Sequence, residues 1–518
     1  MNTDLWPHQA AAADLLAPTV EFGPARLSLA DFPREVIADI AKAFSWPVPG
    51  AHFAQKAHRK KHPMIRPGCS FCLWDGTRSL LERDNTLPIG FAFRLNELLR
   101  ARPGFEFAVL DNSGPVPDRQ YDWHLSADLR DYQREALAAA QYHRHGIFQA
   151  ATGAGKSIMA AALICDLGLP AVVVVPTKLL AGQFLETFRA HTDCPVGLIG
   201  SGKWEPAPVQ IAIAQSLVSG TGAAHTDRLD RRVLVIDEMH LSATATWEAI
   251  CNACPAYYRY GFSATPYRKT ELEDNLLMGL CGPVIAQVGV VELQNSGHLA
   301  QTDIRVIHMP VGYRRMIHDD SDDGRGGVIG WRETSYVEKY KEAVVENGWR
   351  NQQIADLVNR HAADGLKVLV SVAHMDHAAR LMALLDCEPI FLSGRDSNEA
   401  TEAKRRQFRD QPGGVCIGTS VVDTGFDVPA LGVLVLAAGG EFDGRSVQRL
   451  GRGLRPSPGK DRVIVYDLRD EDKPLFRYHA RSRMRTYENL GQKVTEYENA
   501  AAALASEAAP GEQERLAL

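Results

Sequence analysis

The run Ala151-Thr152-Gly153-Ala154-Gly155-Lys156-Ser157 constrains this chain more than any other. About eighty residues later the apolar stretch Val233-Leu234-Val235-Ile236 ends in Asp237-Glu238-Met239-His240. The first segment joins the apolar Gly146-Ile147-Phe148-Gln149 to the helix-like Ile158-Met159-Ala160-Ala161-Ala162-Leu163, the context of a phosphate-binding loop. Gly153 and Gly155 let successive N–H groups face phosphates, and the following helix adds its positive end. Thr152, Gly153, Ala154, Gly155, Lys156 and Ser157 form the expected cradle, with Lys156 neutralising the β- and γ-phosphates. The second segment reads as a buried strand ending in two carboxylates. Ser157 and Asp237 are the expected Mg²⁺ ligands, and Glu238 the group that orients and deprotonates an attacking water. Together they imply hydrolysis of a nucleoside triphosphate. Ala150 stands where the general loop pattern has glycine.

At 518 residues the chain has room for about three domains. No apolar run approaches the roughly 20 residues that span a bilayer. The N-terminus shows no basic-then-apolar pattern, so no export signal is read and a cytoplasmic location, away from membranes, is expected. A net charge of −6 argues mildly against a nucleic-acid binder, yet local distribution matters more than the sum. Lys56, Arg59, Lys60, Lys61 and Arg66, with His52, His58 and His62 among them, form an acid-free cluster. Arg477, Arg481, Arg483 and Arg485 form a second. Cys69-x-x-Cys72 and Cys251-x-x-Cys254 have ligand-like spacing but lie far apart. They are read as packed thiols, with no structural zinc and no disulfides.

The pattern along the chain predicts its organisation. Ala171–Val175, Val209–Ala214, Val233–Ile236 and Tyr260–Phe262 read as buried parallel strands alternating with helices. Lys367–Val372, Pro389–Leu392, Val415–Gly418, Leu431–Leu436 and Arg462–Tyr466 repeat the alternation. The expected domains are 1–120, a small mixed N-terminal domain; 121–295, the nucleotide-binding lobe; 296–475, a second α/β lobe; and 476–518, a helical tail. Residues 319–327, acidic and rich in glycine, read as a surface loop. The second lobe lacks a phosphate loop, but Gln448 to Pro456 places Arg449, Arg452 and Arg455 at helical spacings. Guanidinium suits the charge on a transferring phosphoryl group, so Arg452 and Arg455 are expected to complete the nucleotide site.

These segments resemble, in order, the motifs of superfamily two helicases. Leu129-Arg130-Asp131-Tyr132-Gln133 is similar to the adenine-reading Q motif, and Ala150 to Ser157 to motif I. Pro176-Thr177-Lys178-Leu179-Leu180 resembles motif Ia, and Ala214-Gln215-Ser216-Leu217 motif Ic. Asp237 to His240 is a DEAH-like motif II with Met239 in its third place, and Ser263-Ala264-Thr265-Pro266 resembles motif III. Gly418 to Asp427 resembles motif V, and Gln448 to Arg455 motif VI. The matches run over about 330 residues.

The resemblance implies an α/β protein with two tandem RecA-like lobes with parallel sheets plus a small N-terminal α+β domain, and an ATP- and Mg²⁺-dependent motor on DNA. By it, Gln133 and Arg130 meet adenine, Ser263 and Thr265 link the nucleotide to lobe movement, and Asp423 and Gly425 sense ATP. Thr177, Gln215 and Thr419 grip the strand backbone, which suits a motor indifferent to sequence. Leu73-Trp74-Asp75-Gly76 and Leu87-Pro88-Ile89-Gly90 further resemble the N-terminal DNA-binding domain of UvsW-type phage recombination DNA helicases. That implies action on forks, displacement loops and four-way junctions. Lys56, Arg59, Lys60, Lys61 and Arg66 would touch the duplex, and Trp74 reads as a core anchor. Recombination or replication proteins are the expected partners of a chain monomeric in isolation. The alternative is the motor subunit of a restriction, defence or DNA-repair complex that translocates on duplex DNA.

Overall fold

The structure, a computed structural model, describes residues 17–61, 74–218, 228–238, 244–264, 270–310, 316–319, 330–419, 428, 430–439, 462–470 and 474–506. The chain divides into two units, Met1–Val288 and Gly289–Leu518.

The first unit begins with short strands β1 (Thr19–Phe22), β2 (Arg26–Ser28), β3 (Ser45–Pro47), β4 (Thr77–Ser79), β5 (Thr86–Pro88) and β6 (Ala108–Asp111). Four form a sheet in the order β5-β2-β1-β6, and β3 pairs with β4. Helices α1 (Arg34–Ala43), α2 (Ala51–Lys61) and α3 (Ala92–Arg100) accompany them, giving the expected α+β region. Its core of Val20, Leu27, Phe44, Leu87 and Leu95 continues into Leu272 and Leu276 of a helix far along the chain, so the small region has no closed core of its own.

The rest of the unit carries β7 (His145–Ala150), β8 (Ala171–Val175), β9 (Val196–Gly200), β10 (Lys203–Trp204), β11 (Val209–Ile213), β12 (Val233–Asp237), β13 (Tyr258–Ser263) and β14 (Val284–Val288). They form one sheet in the order β10-β9-β11-β8-β12-β13-β7-β14. It is parallel except for β10, which returns antiparallel to β9. Helices α4 (Asp131–Ala138), α5 (Lys156–Leu167), α6 (Lys178–His191), α7 (Thr244–Ala253) and α8 (Glu271–Cys281) alternate with the strands. Every residue of β8, β11, β12 and β13 is buried, as covered parallel strands must be.

Two features fasten the N-terminal region to this lobe. Arg259, fully buried on β13, donates through Nη2 to Pro24 O at 2.8 Å and through Nη1 to Cys251 O at 2.8 Å. Gly90 lies against α8, where an added Cβ would come within 2.1 Å of Met278 O, 2.5 Å of Gly282 N and 2.7 Å of Gly279 O. Backbone atoms cannot give way as a flexible side chain can. Gly90→Ala is therefore expected to destabilise the first unit by about 1–3 kcal/mol, read as a lower urea midpoint. At Gly182 on α6 an added Cβ meets nothing within 4 Å, so Gly182→Ala should leave the midpoint level or raised.

Cys251, Cys254 and Cys281 lie in the apolar core beside Trp247 and Ile250, and burial pushes the Cys251 thiol up to about 12. Cys69 and Cys72 fall outside the described residues.

The second unit carries β15 (Gln301–Met309), β16 (Met316–Asp319), β17 (Gly330–Glu333), β18 (Lys367–Ser371), β19 (Ile390–Leu392), β20 (Gly414–Gly418), β21 (Leu431–Leu436), β22 (Arg462–Asp470) and β23 (Val494–Tyr497). Seven make a sheet in the order β19-β20-β18-β21-β22-β15-β23, parallel throughout. Its helices are α9 (Val290–Asn295), α10 (Tyr336–Tyr340), α11 (Gly348–Ala363), α12 (Met375–Met382), α13 (Asn398–Asp410), α14 (Pro474–Asn489) and α15 (Ala500–Ala505). The expected strands form here with ends moved by a few residues. Of residues 476–518, expected as a helical tail, those up to Asn489 lie in α14, Val494–Tyr497 forms β23 at the sheet edge, and Ala500 and Ala503 of α15 enter the core. Of the acidic loop expected at 319–327, Asp319 ends β16, which pairs antiparallel with β17, and residues 320–327 lie outside the described residues. Among the described residues no helix is long and apolar enough to cross a membrane.

Candidate active site

The parallel strands of the first unit deliver the quoted residues to one edge of the sheet. Ala151 follows β7, Thr177 follows β8, Gln215 follows β11 and Asp237 ends β12. Loops at the carboxyl ends of parallel strands are where open α/β sheets bind ligands.

The glycine loop bends as its composition requires. Gly153 and Gly155 have φ of +92° and +79°, values open to glycine at little cost. Gly155 is needed for room as well, because a Cβ there would lie 2.6 Å from Gln133 Nε2. Ala151 N–H donates to Val288 O at 3.0 Å, and Ala154 N–H to Ala151 O at 3.0 Å. The buried Ala154 offers its carbonyl to two donors, Tyr132 Oη at 3.0 Å and Gln133 Nε2 at 2.8 Å. Gln133 Oε1 accepts from Arg130 N–H at 3.0 Å, and Arg130 Nη1 donates to Tyr132 Oη at 3.0 Å. The segment at 130–133 thus braces the loop. Tyr132 was given no role from sequence, and its place within the motif-like run was the available signal.

Lys156 opens α5, and its Nζ lies 3.0 Å from Glu238 Oε1, with the two side chains only 12% and 9% exposed. Glu238 is one of three non-glycine residues among the described ones with positive φ, at +47°. Its N–H donates to Phe262 O at 2.9 Å on the neighbouring strand. Such a conformation costs on the order of 1–3 kcal/mol unless its surroundings hold it. Here the bond to Phe262 and the pair with Lys156 hold it, and the carboxylate faces the glycine loop.

The remaining residues separate by place. Ser157 Oγ accepts from Thr187 Oγ1 of α6 at 3.4 Å. Thr177 caps α6, its Oγ1 accepting from Leu180 N–H at 3.3 Å; the cap spends a lone pair and leaves the hydroxyl proton available. Gln215 is exposed and Ser263 buried. Thr419, just past β20, is buried and its N–H donates to Leu392 O at 3.2 Å. Lys56 is exposed on α2, which also carries Arg59, Lys60 and Lys61. Trp74 is half-buried and its indole N–H donates to Thr77 O. Arg66, Thr265, Asp423, Gly425, Arg452 and Arg455 lie outside the described residues.

A strand, a positive-φ glycine loop and a lysine-headed helix beside a strand ending in Asp-Glu define an α/β lobe of the P-loop class. Residues 126–268 match the family described as Type III restriction enzyme, res subunit. A Rad25 protein of Halobacterium salinarum is 26% identical over 379 residues, covering 72% of this chain and 59% of its own. The DNA 3′–5′ translocase XPB2 of Sulfurisphaera tokodaii is 23% identical over 362 residues, covering 63% of this chain and 79% of its own. Among solved structures, T4 UvsW is 18% identical, covering 93% of this chain and 99% of its own with a TM-score of 0.41. An HsdR-type fragment of a type I restriction enzyme from Vibrio vulnificus is 17% identical, covering 72% of this chain and 69% of its own. Its TM-score of 0.50 marks a shared fold. The chain spans 59% and 57% of the length of the two Rad25 relatives.

Proposed function

We propose that this chain is an ATP-dependent DNA motor acting on forks, displacement loops and four-way junctions in recombination, fork repair and strand annealing. The observation that carries the enzymatic part is the Lys156–Glu238 pair at 3.0 Å across the mouth of the glycine loop. It holds a base and a phosphate counter-charge within one site. The ordered motifs and relatives named as DNA helicases and translocases support the choice of DNA.

The site fits ATP and Mg²⁺ on its own chemistry. Thr152 Oγ1 is buried with no hydrogen-bond partner among the described residues, and the two positive-φ glycines of the loop carry no side chain that would cover it. Ser157 and Asp237 supply hard oxygen donors; two protein ligands suffice for Mg²⁺, which keeps waters and phosphate oxygens as the rest. The ion would neutralise charge on the phosphates. Gly153, Ala154 and Gly155 would present backbone to the triphosphate. Gln133, its amide nitrogen committed to Ala154, would offer the second lone pair of Oε1 to the adenine amino group, with Arg130 beside it. Glu238 would orient the attacking water and take its proton, and Arg452 and Arg455 would stabilise the departing charge. Asp423 and Gly425 would sense ATP. Thr177, Gln215 and Thr419 would hold strand phosphates, as would Lys56, Arg59, Lys60, Lys61 and Arg66 for duplex.

The test is ATP hydrolysis with single-stranded DNA, linear duplex, a fork and a four-way junction, with strand products followed in the same reactions. Strong stimulation and strand exchange on the branched substrates are expected. Duplex-stimulated hydrolysis without strand separation would replace this reading by a second one, the motor subunit of a restriction or repair assembly. The restriction-subunit family match and the translocase name of one relative favour that second reading.

A further inference from the structure

Of the four arginines in the run from Arg477 to Arg485, the fold uses one as a core residue. Arg483 is buried, its Nε donating to both oxygens of Asp467 at 2.9 and 3.0 Å and its Nη2 to Leu468 O at 2.7 Å. Arg477, Arg481 and Arg485 recur every fourth residue along α14, and all three are exposed. Each step of four residues advances about 6 Å along a helix, so the three guanidiniums form one stripe about 12 Å long. Tyr478, 63% exposed, lies beside it. Glu488, exposed in the last turn, is the one acid of the helix.

The stripe works against the helix that carries it. Like charges at i and i+4 repel, and Arg477 sits near the helix's positive end, where a cation is disfavoured. Arg481 and Arg485, exposed cations that cost local stability and have no ion-pair partner among the described residues, call for an anion from outside the unit. Repeated guanidiniums match repeated phosphates, each able to bind bidentately, and the neighbouring phenol offers a face on which a base can stack.

We propose that this face of α14 binds the phosphate backbone of DNA. The inference rests on the DNA-motor reading above and adds a contact surface to it. Such contacts carry charge and position without reading sequence.

The test compares wild type with Arg481→Gln/Arg485→Gln by fluorescence anisotropy, using a labelled single strand and the matching duplex between about 50 and 200 mM salt. Both positions are exposed, and an unaltered thermal melt verifies that the variant folds. Losing two phosphate contacts should flatten the slope of log K against log salt by about 1.4 on a single strand or about 1.8 on duplex. The substrate showing the loss identifies the form of DNA that the stripe holds. Wild-type binding with an unchanged slope in the variant on both substrates would overturn the proposal alone. Wild type binding neither substrate would overturn the motor reading itself.

Discussion

Glu238→Gln should lower ATP turnover by about 100- to 10,000-fold, the usual range for removing a positioned base, while ATP remains bound. The amide keeps the carboxylate's size, so the strained backbone at φ +47° and its bond to Phe262 O have no reason to change. What disappears is the negative charge 3.0 Å from Lys156 Nζ. That charge holds the lysine, and a triphosphate must draw the lysine away before it can be neutralised by it. Glu238→Gln removes the competitor, so ATP affinity should hold or rise. Lys156→Ala has the opposite signature, with turnover lost, ATP binding weakened, and Glu238 left buried without this cation. Phosphate release and binding of a fluorescent ATP analogue, measured on both variants, separate the roles. Turnover at the wild-type rate in Glu238→Gln would show that another group takes the proton.

Much of this was legible because the physics leaves few options. Strands covered on both faces, such as Ala171–Val175 and Leu431–Leu436, must be apolar throughout, and those runs matched the strands residue for residue. The bend of the glycine loop was legible because φ of +92° and +79° selects glycine. Elements whose signals are diluted or that depend on distant neighbours were not. Val494–Tyr497 forms an edge strand with two exposed and two half-buried positions, so its hydrophobic pattern is too weak to see. Arg259 stands alone in an otherwise uncharged strand, and its partner Pro24 O lies 235 residues away. Gly90 reads as a turn residue, whereas the constraint on it comes from α8. The arginines of α14 look alike in sequence, yet Arg483 is buried against Asp467 while Arg477, Arg481 and Arg485 are exposed.

Arg350→Ala should destabilise the second unit by about 3–5 kcal/mol, the cost of stranding one member of a buried ion pair. Arg350 is fully buried on α11 and meets Asp470 at the end of β22 through two parallel bonds, Nε to Oδ1 at 2.8 Å and Nη2 to Oδ2 at 3.1 Å. The Asp470 side chain is 3% exposed, so water cannot replace the guanidinium. Gly439, at φ +60°, packs against the same pair; a Cβ there would come within 2.9 Å of Asp470 Oδ2. The pair therefore sits where the chain at Gly439 meets the far end of the strand that begins at Arg462. Replacing both partners with apolar residues of similar volume, as in Arg350→Met/Asp470→Leu, should recover most of the lost stability, since the penalty lies in the unpaired charge rather than in the pair's net worth. Urea unfolding of the single and double variants checks this. An Arg350→Ala midpoint equal to wild type would mean that Asp470 finds another proton or cation once the arginine is gone. A double variant as unstable as the single one would place the energy in packing around α11 instead of in the buried charge.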